Sequence, residues 1–207
     1  MKICHVINSL SGGGAETHLL DLVYAQKELG HTVNVIATGP DKKNMKSFDK
    51  EFTYASDDVL RLYFPRLLNL YSYVKFFKHL QKEQFDVVHT HQPRSDLMFF
   101  ILNFFTSFKP TWIVSIHGKY DTYLEGNVFF DQIRKFFMPL LVQIWSSSNH
   151  IICISHEVEK WLTTYKIKSK ISVVNYWISK TKLINFEETK DFINIGFMGR
   201  INKNKGI

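Results

Sequence analysis

The chain alternates short, almost wholly apolar segments with longer segments in which apolar residues recur at helical spacing. The short segments predict strands at residues 2–7, 31–38, 86–91, 111–117, 150–155, 171–176 and 192–199, and the longer ones predict helices at residues 15–29, 66–83, 93–105, 127–145 and 157–165. Strands that are apolar on both faces need cover on both faces, and helices that connect parallel strands provide it. We therefore predict an α/β fold: a doubly wound parallel sheet with helices on both faces.

The segment from residue 41 to residue 58 does not follow this alternation. It is polar and rich in lysine, so we expect a loop there with at most a short strand at residues 52–55. Pro139 falls inside the helix predicted at residues 127–145, and we expect it to bend that helix because proline removes a backbone hydrogen bond.

Three consecutive glycines, Gly12, Gly13 and Gly14, connect the first strand to the first helix. A helix N-terminus offers free N–H groups and the positive end of the helix dipole, so such a loop can bind a phosphate. The dinucleotide fingerprint would need a further glycine where Thr17 stands, and the Gly-Lys-Ser/Thr ending of a P-loop is absent. Taken alone, the loop fits a phosphate site and a tight strand-to-helix turn equally well.

Composition narrows the class of protein. The 207 residues suffice for one large domain, and 45% hydrophobic with 22% charged residues is typical of a globular protein. The net charge of +7 favours an anionic partner such as nucleotide phosphates, a membrane surface or nucleic acid. The two cysteines, Cys4 and Cys153, lie in apolar strands, which indicates buried thiols in a reducing compartment.

The longest apolar stretch, residues 97–105, is shorter than the roughly 20 residues that a membrane-spanning helix needs. The apolar run at the N-terminus is too short for a secretory signal. We therefore expect a soluble or peripheral protein that works in the cytoplasm.

Open parallel sheets bind ligands at the carboxyl ends of their strands. The residues that end or follow the predicted strands include Gly12–Gly14, His89 with His91, His117 with Gly118, Ser155 and Arg200. After the last strand, Arg200 and Lys205 can pair with a diphosphate, the arginine through its planar fork and the lysine as a point charge. The alternative is an ordinary solvated basic tail.

Five motifs, in the same order and over almost the whole chain, resemble the amino-terminal half of the family-4 (group 1) retaining glycosyltransferases, which have the GT-B fold. They are the opening strand with its glycine loop and second strand (2–40), "FDVVHTHQ" (85–92), "SIHG" (115–118), "IICISHEVEKWL" (151–162) and "IGFMGRINKNKGI" (195–207). The resemblance implies a Rossmann-like, acceptor-side domain over residues 1–185. It also implies that residues 186–207 are a linker and the first strand of a donor-binding domain.

The chain departs from the family at two places. The family has Pro-Asn-Gly or Pro-Asn-Trp, then an apolar residue and Asp, where this chain has "NYWIS", so that Ser179 stands in place of the acid. The family's second domain, which holds the nucleotide and a pair of glutamates, does not follow within these residues. We therefore expect a truncated chain that is inactive by itself.

The resemblance implies the transfer of a sugar, with retention, from a nucleotide-sugar donor to a glycan or lipid-linked acceptor in cell-surface polysaccharide synthesis. Because enzymes of this family need no catalytic metal, it implies no cofactor. Stabilisation of the departing diphosphate then falls to Gly13, Gly14, Arg200 and Lys205.

The resemblance also makes His117 the catalytic histidine of the cleft, whose imidazole can donate a hydrogen bond to the donor sugar or the reacting centre. The alternative is a histidine that only ends a strand. On the acceptor side it indicates Glu16, His18, His91 and Arg94. For Glu16, His18 and Arg94 the alternative is an ordinary solvated helix start.

His89 and His91 share one face of a strand and, together with His117, resemble part of a zinc site. No fourth ligand accompanies them at a zinc-site spacing, so we expect no metal.

The helices predicted at 66–83 and 127–145 mix aromatic with basic residues. Most of these aromatics belong in a core, but a basic, aromatic face would suit a lipid-linked or lipopolysaccharide acceptor at the inner face of an anionic membrane. Two rival functions stay open: a GT-B-shaped sugar-nucleotide epimerase, and a nucleic-acid binder suggested by the charge alone. No nucleic-acid-binding motif is present, so we expect no such partner. The donor, the acceptor and the oligomeric state are not specified by the sequence.

Overall fold

The computed structural model describes residues 1–10, 13–39, 46–62, 69–120 and 128–176. Within these ranges strands and helices alternate along the chain. They are β1 (Lys2–Ile7), α1 (Gly14–Glu28), β2 (Thr32–Ala37), α2 (Lys46–Ala55), β3 (Asp58–Arg61), α3 (Leu70–Glu83), β4 (Val87–His91), α4 (Pro93–Asn103), β5 (Thr111–Ile116), α5 (Val128–Trp145), β6 (His150–Cys153), α6 (His156–Thr163) and β7 (Lys170–Val173). The strand predicted at 192–199 and the segment 186–207 lie outside the described residues.

The seven strands form one parallel sheet in the order β3-β2-β1-β4-β5-β6-β7. The chain starts at β1, runs outward to the β3 edge, returns to β4 beside β1, and then runs to the other edge. The order therefore reverses between β1 and β4, and in doubly wound sheets this switch point opens a crevice at the carboxyl ends of the two strands. The predicted parallel sheet is confirmed.

Each face of the sheet has its own apolar core, because successive side chains of a strand point to opposite faces. On one face α1 and α2 pack on β1 and β2, with a core that includes Ile7, Leu19, Val23, Val33, Val35, Ala37 and Phe52. On the other face α3, α4, α5 and α6 pack on the sheet, with a core that includes Cys4, Val6, Phe76, Val88, Phe99, Trp112, Val114 and Trp145. The prediction of helices on both faces is confirmed.

The two cysteines are free and buried, as the apolar strands around them predict. Burial raises the pKa of Cys153 to about 12 and raises that of Cys4 still further above its usual range. Both thiols therefore stay protonated and serve as small apolar core residues.

The prediction of a loop at residues 41–58 is wrong, because α2 occupies residues 46–55 and β3 begins at Asp58. α2 buries Phe52 and Ala55 against the core of α1, while Lys50 and Glu51 stay exposed. β3 is an edge strand of four residues that pairs with β2 alone, and its end residues Asp58 and Arg61 are exposed. A helix with one narrow apolar side and a short polar edge strand both lack the strong apolar pattern that marked the other elements.

The helix predicted at 127–145 is α5, which continues through Pro139 to Trp145 with the proline exposed to solvent. In the part of the chain that the structure describes, no helix combines the length and the apolar character needed to cross a membrane.

Candidate active site at the switch point of the sheet

The first helix begins directly at the switch point. Gly13 precedes α1 in an extended conformation, with a φ of −129°, and as a glycine it has no side chain to cap the helix. A Cβ on Gly13 would lie 2.6 Å from Oε2 of Glu16, so the end of the Glu16 side chain would have to shift to make room for it. A Cβ on Gly14 would meet nothing within 4 Å. The structure therefore leaves open space at Gly14, beside the N–H groups of the first helical turn.

Glu16 and His18, in the first turns of α1, are each only 7% exposed, so neither is an ordinary solvated helix start. The Ser9 hydroxyl donates a hydrogen bond of 3.1 Å to Oε1 of Glu16. The positive end of the helix dipole also favours a carboxylate at this position. The side chain of Glu16 is thus held in a fixed position at the edge of the crevice.

The neighbouring strands bring several histidines together on the face of the sheet that α1 covers. In the parallel register of β1 and β4, His5 is paired with His89 and Ile7 with His91. Because residues two apart share a face, His5, His89 and His91 all point to the same side. His89 forms a hydrogen bond of 2.8 Å with the Ser115 hydroxyl on β5.

Five side chains form a continuous line of hydrogen bonds, which we call the imidazole chain: Gln26, His5, His91, His117 and Tyr176. Oε1 of Gln26 lies 2.8 Å from Nε2 of His5, and Nδ1 of His5 lies 3.1 Å from Nε2 of His91. Nδ1 of His91 lies 3.3 Å from Nε2 of His117, and Nδ1 of His117 meets the Tyr176 hydroxyl. The line runs from α1, under the helix, to the carboxyl end of β5.

Burial keeps these imidazoles neutral. It lowers the pKa of His5 to about 4 and that of His117 to about 4, with a smaller lowering from the neighbouring His18 in each case. It lowers the pKa of His89 and of His91 well below the usual value, and the nearby histidines lower both further. Near neutral pH each of the four rings therefore carries one N–H and one lone pair.

The line ends at an aromatic group at the mouth of the crevice. The rings of His18 and Tyr176 stack with centroids 4.3 Å apart, and His18 meets His117 edge to face at 6.2 Å. Tyr176 is 38% exposed, whereas His117 is half-buried. The residues predicted on the acceptor side, His18 and His91, thus adjoin the predicted catalytic His117.

The other predicted site residues are distributed differently. Arg94 is half-buried in the first turn of α4, where its charge lowers the pKa of Tyr73 on α3 against the larger, opposing effect of burial. Next to it, the Ser95 hydroxyl donates a hydrogen bond of 3.0 Å to Oδ1 of Asn8 and so joins α4 to the loop after β1. Arg200 and Lys205 lie outside the described residues.

Sequence reasoning missed three members of the imidazole chain: His5, Gln26 and Tyr176. A signal existed for His5, because it is a polar residue in the middle of an apolar strand. For Gln26 and Tyr176 the sequence holds no comparable signal, since their roles depend on which strands lie next to each other.

Three of the histidines also have a spacing that a metal could use. The ligand atoms of His5, His89 and His91 lie within 4.8 Å of one another. In a zinc tetrahedron with bonds of about 2.0–2.1 Å, two ligand nitrogens are about 3.3 Å apart, close to the distance between His5 and His91. However, both nitrogens of His5 and of His91 already take part in the imidazole chain, so a metal would have to break it. The absence of a metal stays a prediction.

The parallel, doubly wound sheet makes this chain a Rossmann-like α/β domain, with a glycine-started helix and an end-of-strand histidine at its switch point. The family model described as Glycosyltransferase Family 4 matches residues 12–180, and the chain belongs to this family. No curated protein sequence matches it.

Solved structures share the fold at low sequence identity. HepE of Anabaena, in complex with UDP-glucose, is 14% identical with a TM-score of 0.64, and the match covers 86% of this chain and 44% of HepE. The lipopolysaccharide outer core galactosyltransferase WaaB is 17% identical with a TM-score of 0.61, covering 93% of this chain and 50% of WaaB. The UDP-GlcNAc 2-epimerase of Methanocaldococcus jannaschii is 17% identical with a TM-score of 0.54, covering 84% and 45%. The chain thus spans about half the length of these proteins.

Proposed function

We propose that this chain is the acceptor-side half of a retaining glycosyltransferase that moves a sugar from a nucleotide-sugar donor to a glycan or lipid-linked acceptor. The observation that carries the proposal is the position of His117. It follows β5 directly and adjoins the crevice at the switch point, where it is held by His91 on one side and meets Tyr176 on the other. A fixed polar group at that point can contact a reacting sugar.

The donor diphosphate binds at the start of α1. The open space at Gly14 lets a phosphate approach the N–H groups of the first turn. The complex of HepE with UDP-glucose supports a UDP-sugar as the donor. Arg200 and Lys205 add positive charge to the same group, so that no catalytic metal is needed.

The reaction breaks the bond between the anomeric carbon and the diphosphate oxygen and forms the bond from that carbon to the acceptor oxygen, whose hydroxyl proton passes to the departing diphosphate. Negative charge grows on the departing diphosphate, where the helix dipole and the loop amides of Gly13 and Gly14 stabilise it. Glu16 and His18 line the same edge of the crevice and contact acceptor hydroxyl groups, and Arg94 meets an anionic group of the acceptor farther along. Burial of Glu16 and His18 gives them fixed positions for this role.

The acceptor is a membrane-associated glycan at the inner face of the cell membrane. The likeness to WaaB supports a role in lipopolysaccharide or polysaccharide synthesis. The exposed aromatic and basic side chains of α3, among them Tyr71, Lys75 and Lys78, support contact with an anionic surface. The two free, buried cysteines fit the cytoplasmic side.

The proposal is tested with the full-length natural protein, a panel of UDP-sugars, and lipopolysaccharide core or lipid-linked glycan as the acceptor. We expect release of UDP that requires the acceptor, with a product of the same anomeric configuration as the donor. An isomerised sugar formed from the donor alone would instead identify an epimerase, the activity for which the Methanocaldococcus protein is named.

The role of His117 is tested in the same assay. We expect His117→Ala to lower turnover by about a hundredfold, as removal of one positioned polar group at a reaction centre often does. His156→Ala is the matched control, because the side chain of His156 is 82% exposed at the surface. If His117→Ala lowers the melting temperature but keeps normal turnover below it, His117 has only a structural role.

A further inference from the structure

In each hydrogen bond of the imidazole chain the donor and the acceptor can be assigned, and the assignment starts from Gln26. Oε1 of Gln26 is an amide oxygen and can only accept, so the proton between Gln26 and His5 belongs to Nε2 of His5. A neutral imidazole has one N–H only, and Nδ1 of His5 is therefore a lone pair. Nε2 of His91, at 3.1 Å, must then donate to it.

The same reasoning continues to the end of the line. Because Nε2 of His91 carries its proton, Nδ1 of His91 is a lone pair that accepts from Nε2 of His117 at 3.3 Å. Nδ1 of His117 is then a lone pair as well, and the hydroxyl of Tyr176 donates to it. All four hydrogen bonds are satisfied with every ring neutral, as the buried positions of His5 and His91 require.

We propose that Gln26, His5 and His91 are positioning residues that fix the tautomer of His117, so that its Nδ1, at the mouth of the crevice, accepts a hydrogen bond from a sugar hydroxyl. The sequence-based expectation had this imidazole as a donor. The Tyr176 hydroxyl occupies the place of that sugar hydroxyl in the structure. The role of the sugar rests on the proposed function, whereas the tautomer does not.

A fixed tautomer of His117 would affect sugar binding by a glycosyltransferase in two ways. Nδ1 of His117 is available as an acceptor without a charged partner nearby, and the sugar hydroxyl that it binds must present its own proton. A ring that could exchange its two tautomers would spend part of its time with an N–H in that place, where it would repel the hydroxyl proton. A fixed tautomer therefore selects hydroxyl groups and excludes groups that only accept.

The test measures the tautomer itself, in the chain labelled with ¹⁵N in its histidine rings. Long-range ¹⁵N–¹H spectra at pH 7 distinguish a protonated from an unprotonated ring nitrogen. We expect Nε2 of His5, His91 and His117 to be protonated and Nδ1 of each to be unprotonated. The opposite pattern, with Nδ1 of His117 protonated, would overturn the proposal. A shift of the His5, His89 and His91 signals on addition of Zn²⁺ would overturn it too, because a metal would then hold these rings.

Variants at Gln26 test whether this residue fixes the tautomer of His117. Gln26→Glu keeps an acceptor and should keep the tautomer of His117, whereas Gln26→Leu removes the acceptor and should give a mixture of both tautomers. Gln143→Leu, at an exposed position on α5, is the control and should change nothing. If Gln26→Leu fails to fold, Gln26→Ala removes the same acceptor without adding a branched side chain and takes its place in the test. A tautomer that is unchanged in folded Gln26→Leu would show that Gln26 does not fix it.

In the full-length natural protein we expect Gln26→Leu to lower kcat by about tenfold with a smaller change in KM, since the positioning group acts through His117. Gln26→Glu should restore most of the rate. If the spectra show the expected tautomer but His117→Ala turns over normally, the proposed function fails while the tautomer stands. If His117→Ala is inactive but the spectra show the opposite tautomer, this inference fails while the proposed function stands.

Discussion

The buried titratable groups act on stability in opposite directions. His5, His89, His91 and His117 have a folded-state pKa below the usual 6.5 because burial penalises their charged form, so between about pH 4 and 6.5 the unfolded chain binds more protons. Asp96 is the opposite case. Burial raises its pKa from 3.8 to about 7, although Trp145 donates a hydrogen bond to its Oδ2. The folded chain then holds a proton that the unfolded chain has lost.

The lowered pKa values of these four imidazoles, together with those of His18, His79 and His150, outweigh the raised pKa of Asp96, so stability rises with pH. We expect the free energy of unfolding, from urea titrations, to increase between pH 5 and pH 6.5, because the unfolded chain binds more protons than the folded chain over this range. His91→Gln should reduce this slope, because one buried imidazole no longer titrates. His156→Gln, at an exposed position, should leave it unchanged. A stability that is flat or falls over this range would show that the imidazoles are not held neutral by the fold.

The open space at Gly14 yields a second prediction at this scale. Gly14→Ala should not lower the free energy of unfolding and can raise it by up to about 1 kcal/mol, because alanine favours a helix and meets nothing within 4 Å. If a diphosphate approaches there, the same change should weaken binding of a UDP-sugar to the full-length natural protein about tenfold, measured by calorimetry.

Gly30→Ala is the crossed control for Gly14→Ala. Gly30 lies just past the other end of α1 and has a φ of 79°, a conformation that alanine rarely adopts. We expect it to lower stability and to leave donor affinity unchanged. Unchanged donor affinity in Gly14→Ala would place the diphosphate elsewhere.

At the scale of elements, β1 and β2 end in a close backbone contact. Thr38 donates from its backbone N–H to the Ile7 carbonyl at 2.9 Å, and its hydroxyl contacts the same oxygen. Next to it, a Cβ on Gly39 would lie 2.3 Å from the carbonyl oxygen of Asn8, a backbone atom that cannot move away without shifting the strand. Gly39 therefore allows the loop that leads to the glycine-started helix to lie against β2.

Gly39→Ala should lower the free energy of unfolding by about 1–3 kcal/mol, the usual cost of forcing an extra carbon into a packed site. Gly14→Ala adds the same methyl group at a site with open space and is the matched control. Urea unfolding at constant pH measures both. Equal stability of the two variants would mean that the Asn8 loop adjusts freely.

At the scale of the whole molecule, α3 and α4 leave an apolar groove on the surface. It has a volume of about 560 Å³ and is lined by Leu70, Tyr73, Val74, Phe77, Ile101, Leu102 and Phe105. Exposed Lys75 and Lys78 lie on α3 beside it. Phe76 of the same helix is buried, Tyr73 and Phe77 are partly buried against the core, and Tyr71 is exposed, so the expectation that its aromatics form core holds for only part of them.

This surface underlies the proposed membrane contact. We expect the chain to sediment with vesicles rich in anionic lipid, less so at high salt, because surface charges are then screened. Lys75→Glu with Lys78→Glu should weaken the binding more than Lys166→Glu with Lys168→Glu, a pair with the same charge change at exposed positions after α6. Equal sedimentation with neutral and anionic vesicles, unchanged by salt, would contradict the contact.

The sequence by itself determined the alternation of strands and helices, the parallel sheet with helices on both faces, the family, and the position of His117 at a strand end. These features depend on local periodicity and on motif order, which can be read without knowing which strands are neighbours. The sequence did not predict the short helix α2 or the edge strand β3, because each buries only a few side chains and has a weak apolar pattern.

Only the tertiary structure decided that His5 lies beside His89, that Gln26 and Tyr176 end a line through three imidazoles, and that Glu16 and His18 are buried. His5 and His91 are 86 residues apart, and their contact depends on the order of β1 and β4 and on the register between them. Neighbour order and register are set by the packing of the whole sheet against its helices. The tautomer of His117 therefore depends on the fold, because each ring's tautomer is fixed by a neighbour that lies far away in the sequence.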